Sequence, residues 1–109
     1  MQSPSIASPE LIFIGFHALS DPLRISVIEL LRNQELCVCD LCSSLGVSQS
    51  KLSFHLKTLR EAGLVRSRQE GRWIYYSLNI PQFAVLEQYL SEYRRLSQIL
   101  PARLCKEPS

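Results

Sequence analysis

The sequence predicts a mainly α-helical fold carrying one β-hairpin, in the order α-α-α-α-β-β-α. Three observations carry this reading. Apolar residues recur at helical spacing behind helix-start signals along most of the chain. In the middle, the turn Leu45-Gly46-Val47-Ser48 separates two short helical segments. Directly after them, alternating and aromatic-rich segments flank a glycine, the pattern of a hairpin.

Residues 1–7 are rich in Ser and Pro and are expected to be flexible. Ser8-Pro9-Glu10 then supplies an N-cap, a proline for the first helical position and an early acid, so a first helix is expected over about 9–19. Ser20-Asp21-Pro22 repeats the signal, and Leu23, Val27, Leu30 and Leu31 keep helical spacing to about Gln34. A third, short helix follows the cysteine segment and stops at Gly46, whose missing side chain suits the left-handed position after a helix. Ser48 is the next N-cap. Over 49–62 the apolar stripe is Leu52, Leu56 and Leu59, which leaves Ser50, Lys51, Ser53, Phe54, Lys57 and Thr58 towards the other side.

Strands are expected over 64–68 and 73–78, joined through Gln69-Glu70-Gly71-Arg72. In the second strand Ile74, Tyr76 and Leu78 share the buried face, and Trp73 and Tyr75 take the other. Pro81 opens a last helix striped by Phe83, Leu86, Leu90, Tyr93 and Leu96, with Tyr89 and Leu100 beside them. An apolar face that long on a terminal helix of a small domain fits burial against a second copy of the chain. Beyond Pro101 the periodicity ends, and residues 101–109, with Cys105, are expected to fray.

A length of 109 residues suits one domain spanning 1–109. Ordinary hydrophobic and charged contents, and no apolar run long enough for a membrane span, point to a soluble protein with no membrane partner. Met1-Gln2-Ser3-Pro4-Ser5 lacks the basic start and apolar stretch of a signal peptide, so a cytoplasmic, reducing setting is expected and structural disulfides are not. Net charge is only +2, but Lys51, Lys57, Arg60, Arg66, Arg68 and Arg72 against Glu61 and Glu70 place +4 between residues 51 and 72. The helix pair alone fits an ordinary amphipathic helix in a small bundle as well as a nucleic-acid reader. A basic hairpin directly after it completes a winged helix-turn-helix, with a small, polar, basic helix face able to reach a major groove and arginines able to meet backbone phosphates.

Glu35-Leu36-Cys37-Val38-Cys39-Asp40-Leu41-Cys42 holds three of the four cysteines within six residues. Clustered thiols can form a disulfide, carry redox chemistry or bind a soft ion, and three donors suit the last use best. With about 100° per helical residue, Cys39 and Cys42 sit roughly 60° apart while Cys37 points about 140–160° away. Either Cys37 lies in coil before the helix, or the first turn must unwind when three sulfurs close on a ligand. Cys39-Asp40-Leu41-Cys42 matches a C-x-x-C redox pattern, yet the βαβ setting that such a motif needs is missing. His55 lies close to the buried stripe and reads as packed or phosphate-contacting; His17 stands alone on the first helix.

Over roughly residues 9–98 the sequence resembles the ArsR family of winged-helix repressors, which regulate metal and metalloid resistance genes. The resemblance rests on Ala18-Leu19-Ser20-Asp21-Pro22-Leu23-Arg24, on the cysteine segment above, on Ser48-Gln49-Ser50-Lys51-Leu52-Ser53-Phe54-His55-Leu56-Lys57-Thr58-Leu59, and on Glu70-Gly71-Arg72-Trp73. The cysteine motif looks like that of arsenite and antimonite sensors. The resemblance implies a non-catalytic homodimer that sits on double-stranded operator DNA and leaves when As(III) or Sb(III) binds Cys37, Cys39 and Cys42, with no organic cofactor.

Trivalent arsenic takes three thiolates and keeps a lone pair, whereas zinc or cadmium would want a fourth donor. The exposed helix face and the basic hairpin assign Gln49, Ser50, Lys51, Ser53, Phe54, Lys57, Arg68 and Arg72 to DNA, and the apolar stripe of the last helix assigns Phe83, Leu86, Leu90, Tyr93 and Leu96 to the dimer. Phe54 departs from the polar or basic residue of many relatives and suggests contact with thymine methyls or dimer packing. Cys105 has no counterpart in the three-cysteine motif and reads as an extra ligand, a partner for oxidation or an idle tail thiol, the idle reading being favoured because an unconstrained tail loses entropy on joining any site. Two alternatives stay open: a repressor of the same fold switched by thiol oxidation or by Cd, Pb or Zn, and a small thiol oxidoreductase or metal-trafficking protein.

Overall fold

The structure, a computed structural model, describes residues 8–104. Its elements are α1 (Pro9–Ala18), α2 (Pro22–Leu30), β1 (Leu36–Cys37), α3 (Val38–Leu45), α4 (Gln49–Glu61), β2 (Val65–Glu70), β3 (Trp73–Leu78) and α5 (Ile80–Leu96). The start signals work as side-chain caps. Ser8 Oγ accepts the Leu11 N–H at 3.1 Å, and Asp21 Oδ2 accepts those of Leu23 and Arg24 at 2.9 and 3.1 Å. These bonds, the Arg24 N–H foremost, hold the Asp21 carboxyl below its usual range. α2 stops at Leu30 rather than near Gln34, because the Gln34 side chain takes the Leu30 carbonyl at 3.1 Å and the chain turns there.

α3 and α4 form the expected helix-turn-helix. Gly46 ends α3 at φ 65°, and its N–H and that of Val47 both reach the Cys42 carbonyl, at 2.8 and 3.3 Å. Ser48 Oγ then accepts the Lys51 N–H at 3.2 Å to start α4. The α4 stripe faces the core: Leu52, Leu56 and Leu59 are buried with Val27, Leu31, Leu41, Leu64, Val65 and Tyr76.

β2 and β3 pair antiparallel around Gly71-Arg72, with Glu70 opposite Trp73. Gly71 at φ 62°, followed by a residue of negative φ, suits a two-residue hairpin loop of the primed kind. A third strand was not expected. β1 pairs with β3, Leu36 opposite Tyr76 and Cys37 opposite Tyr75, so the sheet order is β1-β3-β2. Tyr76 is buried and Leu78 half-buried as read from the alternation, but Ile74 is 41% exposed. Ile74, nearer the tip than Tyr76 and Leu78, borders an open cleft beside α4 instead of the closed core.

α5 is shorter than its stripe suggests. It ends at Leu96, and Ser97 is already extended, which leaves Leu100 outside the helix and exposed. Phe83 and Leu86 pack into the chain's own core, whereas Leu90 and Tyr93 face outward; the Leu96 side chain is not among the described ones. Among the described residues, no single helix is long and apolar enough to cross a membrane.

Candidate thiol site and nucleic-acid interface

Cys37 closes β1 and is the N-cap of α3 at φ −83°, ψ 163°, so it stands outside the helix. Of the two geometries open to the motif, this is the one with Cys37 ahead of the helix. Cys39 is exposed in the first turn and Cys42 half-buried in the second; all three are free thiols. The Cys37 thiol donates to Asp40 Oδ2 at 3.2 Å. The nearby Asp40 N–H favours the thiolate without closing a capping hydrogen bond. Partial burial, the bond to the Asp40 carboxylate and the charges of Asp40 and Cys39 outweigh it and hold the Cys37 thiol above its ordinary value. Among the described residues, no three His, Cys, Asp or Glu side chains are gathered to hold an ion. The Cys37 thiol is thus engaged with Asp40 rather than gathered with Cys39 and Cys42. Cys105 lies outside the described residues.

The eight residues assigned to DNA are all exposed. On α4, Gln49, Ser53 and Lys57 face the hairpin and line a cleft of about 270 Å³ with Val38, Arg60, Ile74 and Tyr76. Phe54 is 64% exposed and meets the His55 ring edge-on at 5.2 Å. Arg72 sits exposed at the hairpin turn. Arg68 is differently placed. Its Nε and Nη2 donate to the two Glu35 oxygens at 2.7 and 2.9 Å, and its Nη1 donates to Glu70 Oε1 at 2.7 Å. The guanidinium also lies over the Tyr75 ring, 4.7 Å from its centroid. The bond from Arg68 keeps the Glu35 carboxyl below its usual range, and the two carboxylates raise Arg68 further.

Two polar links were missed by sequence reasoning. Glu35 is one, because its partner lies 33 residues away. Arg24 is the other: a buried guanidinium whose Nε donates to the Ala18 carbonyl at 2.7 Å and whose Nη1 contacts His55 Nδ1 at 2.8 Å. A guanidinium only donates, so His55 Nδ1 accepts, and a neutral ring then carries its proton on Nε2. This link ties the end of α1 and the start of α2 to the middle of α4, and the packed reading of His55 agrees with it.

The remaining surface of note joins α1 and α5. Pro9, Ile12, Phe13, Phe16 and Tyr89 line a groove of about 510 Å³. Leu11, Phe13, Ile14, Leu90 and Tyr93 around it are exposed.

A family model described as "Bacterial regulatory protein, arsR family" matches residues 21–67. The arsenical resistance operon repressor of Escherichia coli (strain K12) is 47% identical over 72 residues, covering 63% of this chain and 62% of that protein. The chain spans about half to three-fifths of the length of the first curated relatives it matches. A crystal structure of an ArsR family transcriptional regulator matches with a TM-score of 0.76 at 26% identity, covering 83% of this chain and 93% of that one. A crystal structure of a possible transcriptional regulator for arsenical resistance matches with a TM-score of 0.65 at 34% identity, covering 71% of this chain and 80% of that one. The family model covers the helix-turn-helix segment, the two solved structures share the overall fold, and the chain belongs to the arsR family of bacterial regulatory proteins.

Proposed function

We propose that the chain is a transcriptional repressor that binds operator DNA as a homodimer and is released when As(III) or Sb(III) is taken up by Cys37, Cys39 and Cys42. The observation that carries this reading is the position of the thiols, Cys37 at the N-cap of α3 and Cys39 and Cys42 within it, one short turn ahead of α4. Cys42 supports the turn into α4 through its own carbonyl, which accepts from Gly46 and Val47. A ligand that draws the three sulfurs together shifts the start of α3 and disturbs that turn, and with it the aim of α4.

The chemistry suits the inducer. Arsenous acid exchanges three hydroxides for three sulfurs, each thiol proton leaving with a hydroxide as water, so the protonated Cys37 is no obstacle. A divalent cation would have to displace that proton first. On the DNA side, Gln49, Ser50, Ser53 and Phe54 are exposed for base edges, and Lys51, Lys57 and Arg72 for phosphates; Arg68, expected from the sequence to join them, is taken out of the phosphate set because Glu35 and Glu70 already occupy its guanidinium. The apolar faces of α1 and α5, including Leu90 and Tyr93, are assigned to a second copy, and two-fold symmetry then calls for a near-palindromic operator. The name of the Escherichia coli relative, an arsenical resistance repressor, supports the same inducer class.

The test is a duplex titration at two salt concentrations, with and without arsenite, beside sedimentation of the free protein. Salt-sensitive binding by a dimer, lost on adding arsenite, is expected. Binding that arsenite leaves untouched while zinc or cadmium abolishes it would reassign the inducer, and turnover of a disulfide substrate without DNA binding would reject the reading.

A further inference from the structure

We infer that Arg68 is a positioning residue that ties the thiol segment to the wing, so that the state of Cys37 is transmitted to the wing as well as to α4. The inference rests on the thiol switch proposed above. Strand register puts Cys37 opposite Tyr75 and Tyr75 opposite Arg68, and residues directly opposite share one face of a sheet. Glu35 lies immediately before β1, and its carboxylate meets Arg68. The Arg68 guanidinium crosses the Tyr75 ring to grip both Glu35 oxygens, while its third bond holds Glu70 at the end of β2.

β1 is only two residues long, held by its pairing with β3 and by Leu36 against the core, and the Glu35–Arg68 contact adds a link from its start to β2. A lone exposed ion pair contributes little. A planar fork closed on both oxygens of one carboxylate and backed by an aromatic ring is fixed in geometry, which is what a transmitting contact requires. With two carboxylates around one guanidinium, the local charge is negative, and a DNA phosphate gains little there. Phosphate contact on the wing then falls to Arg66 and Arg72, which lack such a cage. When Cys37 moves toward Cys39 and Cys42, it leaves its place opposite Tyr75, Glu35 moves with it, and the pull on Arg68 reaches the wing.

The test uses the full chain and a duplex that the unmodified protein selects. Glu35→Gln is expected to bind that duplex with unchanged salt dependence and to bind arsenite, read by thiolate–arsenic ultraviolet absorbance, as the parent does. Its arsenite-driven loss of DNA affinity, roughly 5- to 150-fold in the parent, is expected to shrink several-fold. Arg68→Gln should shrink it equally, the double variant should add nothing, and the salt slope should not fall. A salt slope lower by about one for Arg68→Gln, with a full arsenite response in Glu35→Gln, would make Arg68 a phosphate contact and overturn the inference.

A second readout does not need the switch. Amide hydrogen exchange at Cys37 and Tyr75 should quicken several-fold in Glu35→Gln, and unchanged protection rejects the tie. If the unmodified protein bound arsenite and stayed on DNA, the proposed function would fall, and the exchange measurement would still decide whether Arg68 holds β1 to the wing.

Discussion

Leu52, Leu56 and Leu59 of α4 are at most 2% exposed, whereas Leu90 and Tyr93 of α5 are 55% and 60% exposed, although both sets repeat at helical spacing. The α4 stripe is enclosed because α2, α3 and β2 all pack on that helix. α5 has α1 beneath it, and that support reaches Phe83 and Leu86 but not the outer half of the stripe. Apolar periodicity therefore reports a helix and the direction of its face, while the cover for that face is a separate matter. The chain encloses the α4 stripe itself, whereas the outer part of the α1–α5 face stays exposed.

The largest expected effect breaks the enclosed side. Leu59→Ala should lower stability by about 2–5 kcal/mol in urea unfolding, since the side chain is fully buried. The same change at Leu90 should cost the isolated fold less than about 1 kcal/mol and act instead on self-association, seen in sedimentation. Equal losses at both sites would erase the distinction.

Next in size is the thiol side. Cys39→Ser should leave DNA affinity unchanged but remove release by arsenite, a difference of about 1–3 kcal/mol in coupling; Cys105→Ser should still respond. Release of Cys39→Ser as readily as the parent would reject a three-thiol site.

Gly46→Ala sharpens the link between the two regions. An L residue at φ 65° is strained even though nothing lies within 4 Å of the added carbon, so about 1–2 kcal/mol is expected in thermal or urea unfolding.

The smallest effect is a pH dependence. The Cys37 thiol is held above its ordinary value, so the stabilisation of its neutral form is present below the unfolded value of about 9.0 and is lost as pH rises through the folded value. Asp40→Asn removes the carboxylate that raises it, and alkylation of Cys37 at pH 8 should become several-fold faster. An unchanged rate would mean that the carboxylate does not govern this thiol.

Much of the fold was legible because its signals are local. Ser8, Asp21 and Ser48 each bond N–H groups two or three residues ahead, and Gly46 needs only its own backbone angle, so a linear reading finds them. The hairpin and the thiol spacing are local in the same sense. The position of Cys37 was narrowed to two geometries by helical angles, and the strand pairing selected one.

The sequence by itself determined the helices with their caps, the turn between α3 and α4, the hairpin and the three-thiol motif, since each depends on residues within a turn or two of one another. Tertiary structure alone decided that a two-residue strand carries Cys37, that Arg68 meets Glu35 and Arg24 meets His55, and that Phe83 and Leu86 are consumed by the chain's own core. The physical reason is range. These partners lie about thirty residues apart or on separate elements, and a two-residue strand is too short to show a period, so their pairing is set by register and helix packing.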